Sequence, residues 1–217
     1  FFQYNVMTTY PITLPTQASS QPINTTFRIR RVIGQSQSPF TGETQTFRHQ
    51  GEWWEAEVTL PPMTHANARE WVAKLVSMRG VFGTMLLGDW DGRIAQGTAS
   101  SSAGTPLVKG ANQAGNTLLI DGATANQTGY LKAGDYIQLG TGTSSRLHMV
   151  VVDANTDGSG NASLEIEPAL RTAPSDNLAV TVANTKGVFR LVTNETEWDT
   201  NAVAVYGITF AVTEYLS

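Results

Sequence analysis

Apolar and polar residues alternate most cleanly from Glu52 to Leu60. Trp54, Ala56, Val58 and Leu60 fall on one side there, and Trp53, Glu55, Glu57 and Thr59 on the other. A period of two marks a strand with one buried face. The same reading places strands over 26–33 and 43–49, with Gln50-Gly51 as the tight turn joining 43–49 to 52–60 as a hairpin. In the first of these strands Phe27 and Ile29 alternate with Arg28 and Arg30, but Arg31 breaks the phase before Val32 and Ile33, which predicts a bulge. The period then changes to 3.6. Ala68, Trp71, Val72 and Leu75 form the apolar stripe of one helix, with Thr64 as its N-cap after Pro61-Pro62. Arg79 falls in its last turn and Gly80 supplies a left-handed C-terminal cap. Further strands are expected over 81–87, 188–193 and 202–215, and Tyr10-Pro11-Ile12-Thr13-Leu14-Pro15 suits an extended arm or edge strand.

Between these outer segments the pattern changes. Five short strands are expected at 117–120, 136–139, 146–152, 162–167 and 178–182, or six if Leu107-Val108 is counted. Glycine-rich turns separate them, as in a small barrel or sandwich. Composition changes at the same boundaries. Of 19 aromatic residues 17 lie outside 93–186, whereas 11 of the 20 glycines lie inside it. Two cores of different character follow: a split domain of 1–92 plus 187–217, and an inserted domain of 93–186. Insertion into a loop requires its ends to be close, so Asp91 and Gly187 should be neighbours. The expected fold class is mainly β with one helix.

Charge narrows the function. Charged residues are 15% of the 217, and 14 basic against 18 acidic side chains leave a net charge of −4. A dedicated nucleic-acid binder carries a basic field that this chain lacks. There is no cysteine, so disulfides, thiolate metal sites and cysteine nucleophiles are excluded. No apolar run reaches the ~18 residues that span a bilayer. The segment Phe1–Val6 has neither the basic start nor the long apolar stretch of a secretory signal. His49, His65 and His148 stand apart from any catalytic or zinc motif and read as surface or interface histidines. No catalytic residue, cofactor or metal is therefore expected, and the chain does not read as an enzyme.

Asp153-Ala154-Asn155-Thr156-Asp157-Gly158 matches the first half of a calcium loop, but position twelve is Leu164 where a bidentate Glu is needed. A hairpin turn uses the same residues for left-handed backbone and side-chain-to-backbone bonds, and that reading is preferred. Arg28, Arg30 and Arg31 form the one basic cluster, expected to pair with acidic groups in the chain or on a partner. Adjacent Trp53 and Trp54 must face opposite sides of their strand. One belongs to the core, and the other packs under the helix, lies in a subunit interface, or stacks on a sugar. Interface is the first choice. Trp90, in the turn Asp89-Trp90-Asp91-Gly92, joins Arg28, Arg30, Arg31, Trp53 and Trp54 as an interface candidate.

Several segments together resemble the minor tail proteins of long-tailed, siphovirus-type bacteriophages. They are Ser38-Pro39-Phe40-Thr41-Gly42, the run Trp53–Met63, the helix with Trp71, Gly83–Asp89, Leu131–Gly140 and Gly187–Leu191. The nearest role is the distal tail protein. The resemblance implies a tail-tube-like β-sandwich or split barrel carrying an inserted small barrel of the oligonucleotide/oligosaccharide-binding type. It implies a homohexameric ring in the virion, at the distal end of the tail, between the tail tube protein and the hub or baseplate proteins. DNA would only pass through the lumen, with no membrane involved. Met7 would correspond to the natural start of relatives, with Phe1–Val6 an extension. The alternative is a tail-tip binding module whose barrel holds a side fibre or a host-surface carbohydrate, using Tyr130 or Tyr136.

Overall fold

The computed structural model describes residues 8–15, 22–63, 65–200 and 206–216. Phe1–Val6, the expected cap Thr64, and residues 202–205 of the expected last strand lie outside them. The chain is mainly β, with one α-helix among the described residues. Its outer strands are β1 (Ile12–Thr13), β2 (Asn24–Gln37) and β3 (Thr44–Thr59), then helix α1 (His65–Ser77) and β4 (Met85–Leu87). The middle supplies β5 (Gly104–Val108), β6 (Gly115–Ala123), β7 (Tyr136–Leu139), β8 (Arg146–Val150), β9 (Ala162–Leu170) and β10 (Val180–Thr181). The chain closes with β11 (Gly187–Leu191), the short pair β12 (Asp199–Thr200) and β13 (Tyr206–Gly207), and β14 (Thr209–Glu214).

Two six-stranded sheets result. The first runs β1-β4-β11-β14-β3-β2 and the second β10-β7-β8-β9-β6-β5. A bridge between Leu107 and Ala179, with the Val108 N–H donating to the Leu178 carbonyl at 2.9 Å, joins the edges of the second sheet into a nearly closed barrel. Its first strand is longer than the Leu107-Val108 pair that the apolar pattern marks. Gly187 pairs with Leu87 across β11 and β4, so the two ends of 93–186 lie side by side. Gly88 stays glycine for a steric reason, because a Cβ there would collide with the Thr185 carbonyl oxygen.

The outer strands differ from expectation in an instructive way. β3 is one continuous 16-residue strand, and Gln50-Gly51 is not a turn. The turn lies at 38–43, where the Ser38 N–H donates to the Glu43 carbonyl at 2.8 Å. Register explains Gln50-Gly51. Arg31 pairs with Glu52 but Ile33 pairs with Arg48, so His49, Gln50 and Gly51 together oppose Val32. The bulge expected beside Arg31 is therefore present, with its extra residues on the facing strand. A side chain at position 51 would meet Val32 Cγ2 at 2.8 Å, and glycine lets the strand bend there. Arg31 does not break phase either. Phe27, Ile29 and Arg31 oppose Ala56, Trp54 and Glu52, and all share the inner face.

The helix carries its stripe as expected, burying Ala68, Trp71 and Leu75 against the sheet, with Trp71 tilted on Phe210 at 6.1 Å. It ends earlier than predicted. Lys74 is the basic residue of its last turn, and Arg79 itself adopts the left-handed conformation (φ 54°) next to Gly80 (φ 67°). The strand expected over 81–87 shortens to Met85–Leu87, because Gly80–Phe82 is a 3-10 turn.

Buried apolar residues form two clusters. One gathers Trp54, Ala56, Val58, Trp71, Leu75, Phe189, Phe210 and Val212 between helix and first sheet. The other fills the barrel with Leu118, Ile120, Tyr130, Ile137, Val150, Leu164 and Ile166. The two middle aromatics part company. Tyr130 is fully enclosed in the barrel, and its hydroxyl donates to the Ala103 carbonyl at 2.7 Å. Tyr136 crosses to the first cluster, 5.9 Å from Trp54. Burial pushes the Tyr130 phenol up to about 12 and also raises that of Tyr136.

Candidate assembly interface

On the outer face of the first sheet, cross-strand pairing sets acids opposite the arginines. Arg30 Nε donates to Glu55 Oε2 at 3.1 Å, and Arg28 lies 3.6 Å from Glu55 and 3.8 Å from Glu57. Such exposed pairs contribute ~0–1 kcal/mol each, and their larger effect is to fix a charge pattern on the face. Trp53 shares this face, half-buried, its indole N–H directed at Glu55 Oε1 (3.4 Å). Beside it a shallow groove of about 480 Å³ continues over Arg190, Val192 and Leu216. The half-exposed Val192 and Leu216 alternate with charge here, the mixed chemistry of a protein-facing surface.

Arg31 and Trp54 sit on the opposite face, where the first sheet meets the barrel. Trp54 is core, and its indole N–H donates to the Leu147 carbonyl at 2.9 Å. Glu52 continues the same face and is only 2% exposed. It accepts from Arg48 Nε at 2.9 Å and from the Ala169 N–H at 3.3 Å. Arg31 lies 3.7 Å from Glu52 and 3.5 Å from Glu167 of the barrel. Burial alone would raise the Glu52 carboxyl, yet the bonds from Arg48 and Ala169 hold it below its ordinary value. Glu167, partly buried and beside the Glu52 charge, is pushed up. A second tie joins Arg171 to Glu214 at 2.6 Å, while the Trp54 N–H donates to the other Glu214 oxygen at 3.0 Å. The basic cluster is thus divided: two arginines decorate an open face and the third fastens barrel to sheet.

Beyond the bulge, β2 and β3 leave the body of the protein as a two-stranded arm. Every residue from Pro39 to Gln50 is exposed, with Val32, Ile33 and Phe47 half-exposed or more and Phe40 at the tip 96% exposed. The tip is nonetheless ordered by its own bonds. Ser38 Oγ accepts from the N–H groups of Phe40 and Thr41 at 3.3 and 3.2 Å, and Gln37 Nε2 donates to the Gly42 carbonyl at 3.2 Å. A ribbon that is wet on both faces gains little from its own packing, and apolar side chains held out on it are suited to a partner's surface. The alternation at Glu52–Leu60 gives no sign of the arm, which shows in sequence only as polar alternation continuing upstream with single apolar residues.

Trp90 lies apart from both surfaces. It is half-buried against the first cluster and lines a recess of about 90 Å³ with Leu14, Leu87, Arg93 and Thr185.

The other candidates of the sequence resolve locally. Asp153 Oδ1 accepts from the Ala133 N–H at 2.9 Å and Asn155 Oδ1 from the Gly129 N–H at 2.6 Å. Asp157 closes its own turn by accepting from the Ser159 and Asn161 N–H groups at 2.8 and 2.9 Å. The three oxygens point to three places, and among the described residues no group of three His, Asp or Glu could hold a metal ion. His148 corrects the surface reading. It is 5% exposed, its Nδ1 lies 2.7 Å from the Pro168 carbonyl, and burial pulls its pKa down to about 4. Asp135, which the sequence did not single out, is 2% exposed and accepts from the N–H groups of Gln96 (2.7 Å), Gly97 (3.2 Å) and Lys132 (2.8 Å). It pins the connector after Trp90 to the barrel, a role that a lone Asp in a Gly-Asp turn does not announce.

Compared with models of known protein families and with curated proteins, the sequence matches none of them.

Proposed function

We propose that this chain is a structural subunit of a long-tailed phage virion, a distal tail protein that assembles as a homohexameric ring between tail tube and hub. The observation that carries the reading is the exposed arm. An ordered ribbon with Phe40 at its tip, projecting from the same sheet whose outer face bears Trp53, Arg28 and Arg30, is suited to lying across a neighbouring copy. Repeated around an axis, such a heterologous contact closes into a ring. A net charge of −4 suits a lumen through which DNA slides without adhering. The function is assembly rather than catalysis.

A carbohydrate-gripping barrel has less support. Tyr130 and Tyr136, the stacking platforms such a site would use, are 0% and 6% exposed.

Native mass spectrometry and tail-tip images of the full chain test the ring. Six copies in a closed ring are expected. Phe40→Asp should shift the protein to monomer while changing the unfolding free energy of the subunit itself by only the ~0.5 kcal/mol or less typical of a surface substitution. A wild-type chain that stays monomeric at tens of micromolar and is absent from purified tails would overturn the reading.

A further inference from the structure

The groove on the outer face of the first sheet is shaped by bonds to its own backbone. The 3-10 turn Gly80–Phe82 forms one wall, where the Val81 N–H donates to Asn194 Oδ1 at 3.2 Å. A Cβ on Gly80 would meet that same oxygen at 2.6 Å, so the close approach needs glycine. On β11 the ladder runs one residue past Leu191, the Val192 N–H donating to the Ala211 carbonyl at 3.1 Å. Val192 therefore shares a side with Arg190. Val81, Val192 and Leu216 make the groove apolar, and Trp53 lies on the side toward the arm. Its charges are unequal. Glu55 is shared by Arg28 and Arg30, and Glu214 is taken up by Arg171. Arg190 is exposed, lies 5.9 Å over the Tyr215 ring, and among the described residues takes part in no ion pair.

The arm tip carries the complement. Phe40 is fully presented to solvent, and Glu43 is the single acid between Gly34 and Gly51. Glu43 is exposed and likewise in no ion pair among the described residues. The pairs from Ile33 with Arg48 to Gln37 with Thr44 carry the tip outward past the bulge by roughly 15 Å. A ribbon held in that register cannot bring its tip back to the groove behind its own base, so the groove that fits it is on another copy.

We infer that the arm tip of one copy seats in this groove of the next, with Phe40 against Val81, Val192 and Leu216 and the Glu43 carboxylate on Arg190. An apolar anchor beside one charge pair sets both the depth and the direction of docking. Tip and groove are different surfaces, so the contact is heterologous and repeats around an axis. The inference rests on the ring proposed above and supplies its receiving site.

The chain has no cysteine, so introduced pairs report single contacts. Oxidation of the full chain carrying Thr41→Cys and Val192→Cys should give a ladder of disulfide-linked copies ending at the hexamer. Thr41→Cys combined with Ser163→Cys on the barrel should give none. Glu43→Arg should raise the concentration at which half the chains are assembled by about tenfold or more, and Arg190→Glu should do the same. The two substitutions together should restore assembly. A hexamer in which Thr41→Cys and Val192→Cys do not link overturns the groove as the seat and leaves the ring standing. So does a Glu43→Arg protein that assembles like wild type, or a Val192→Cys protein that links in purified tails only to a tube or hub protein. A wild-type chain that stays monomeric at tens of micromolar and is absent from tails overturns ring and groove together.

Discussion

His148 spends its buried position on a single carbonyl, and that choice has a cost that depends on pH. In the native protein the imidazole stays neutral down to about pH 4, because burial and the nearby Arg171 and Arg146 charges oppose protonation. In the unfolded chain it takes up a proton near its ordinary value of 6.5. The unfolded state therefore binds more protons between those values, and stability falls as pH is lowered from 6.5 to 4, then levels off. The full effect is about 3 kcal/mol. Urea unfolding of wild type and His148→Asn across that range should show the difference between them shrinking toward acid, since Asn keeps the donor and does not titrate. The sequence concealed this residue for a simple reason. His148 alternates in a strand like any half-exposed polar group, and only the barrel's closure buries it. Asp135 was hidden in the same way, because its three N–H donors come from two segments separated by some 35 residues.

At the scale of elements, β3 shows what periodicity can and cannot tell. Its inner half, Trp54 to Val58, announced its buried face because a core lies beneath it. Its outer half has no core on either side, so its pattern carries no face, and Gln50-Gly51 looked like a turn when it is the bend where the two halves meet. Helix α1 was legible because its stripe is long, whereas its C-terminal boundary slipped at Arg79, a non-glycine residue held at φ 54°. The consequence is measurable by hydrogen exchange. Backbone amides of 33–37 and 44–48 should exchange orders of magnitude faster than those of 52–59 in the isolated chain. Assembly should slow the arm selectively. Equal protection of both halves in the free protein would mean that the arm is not a ribbon open to solvent on both faces.

In the whole molecule the segregation of aromatic residues marks two clusters, with one exchange across the boundary. Tyr136 belongs by sequence to the glycine-rich middle but packs beside Trp54, so the barrel lends an aromatic to the first core. Together with Arg31, Glu52, Glu167 and the Arg171–Glu214 tie, it makes the contact between the two bodies partly polar and partly apolar. Composition could suggest the two cores, but not this seam, since its members come from five separate stretches of chain.

The pairing of Gly187 with Leu87 has a mechanical side. When tension is applied near Pro11 and Tyr215, the load path runs through the ladder of β1, β4, β11 and β14 and passes by residues 93–186, whose two ends are clasped together. The barrel is then slack stored behind a three-residue clasp, a reserve of roughly 300 Å of chain. In a force-extension trace the first rupture should belong to the outer sheet, with the barrel's length released only after it. A component built this way transmits force along its sheet while the body hanging from it stays unloaded.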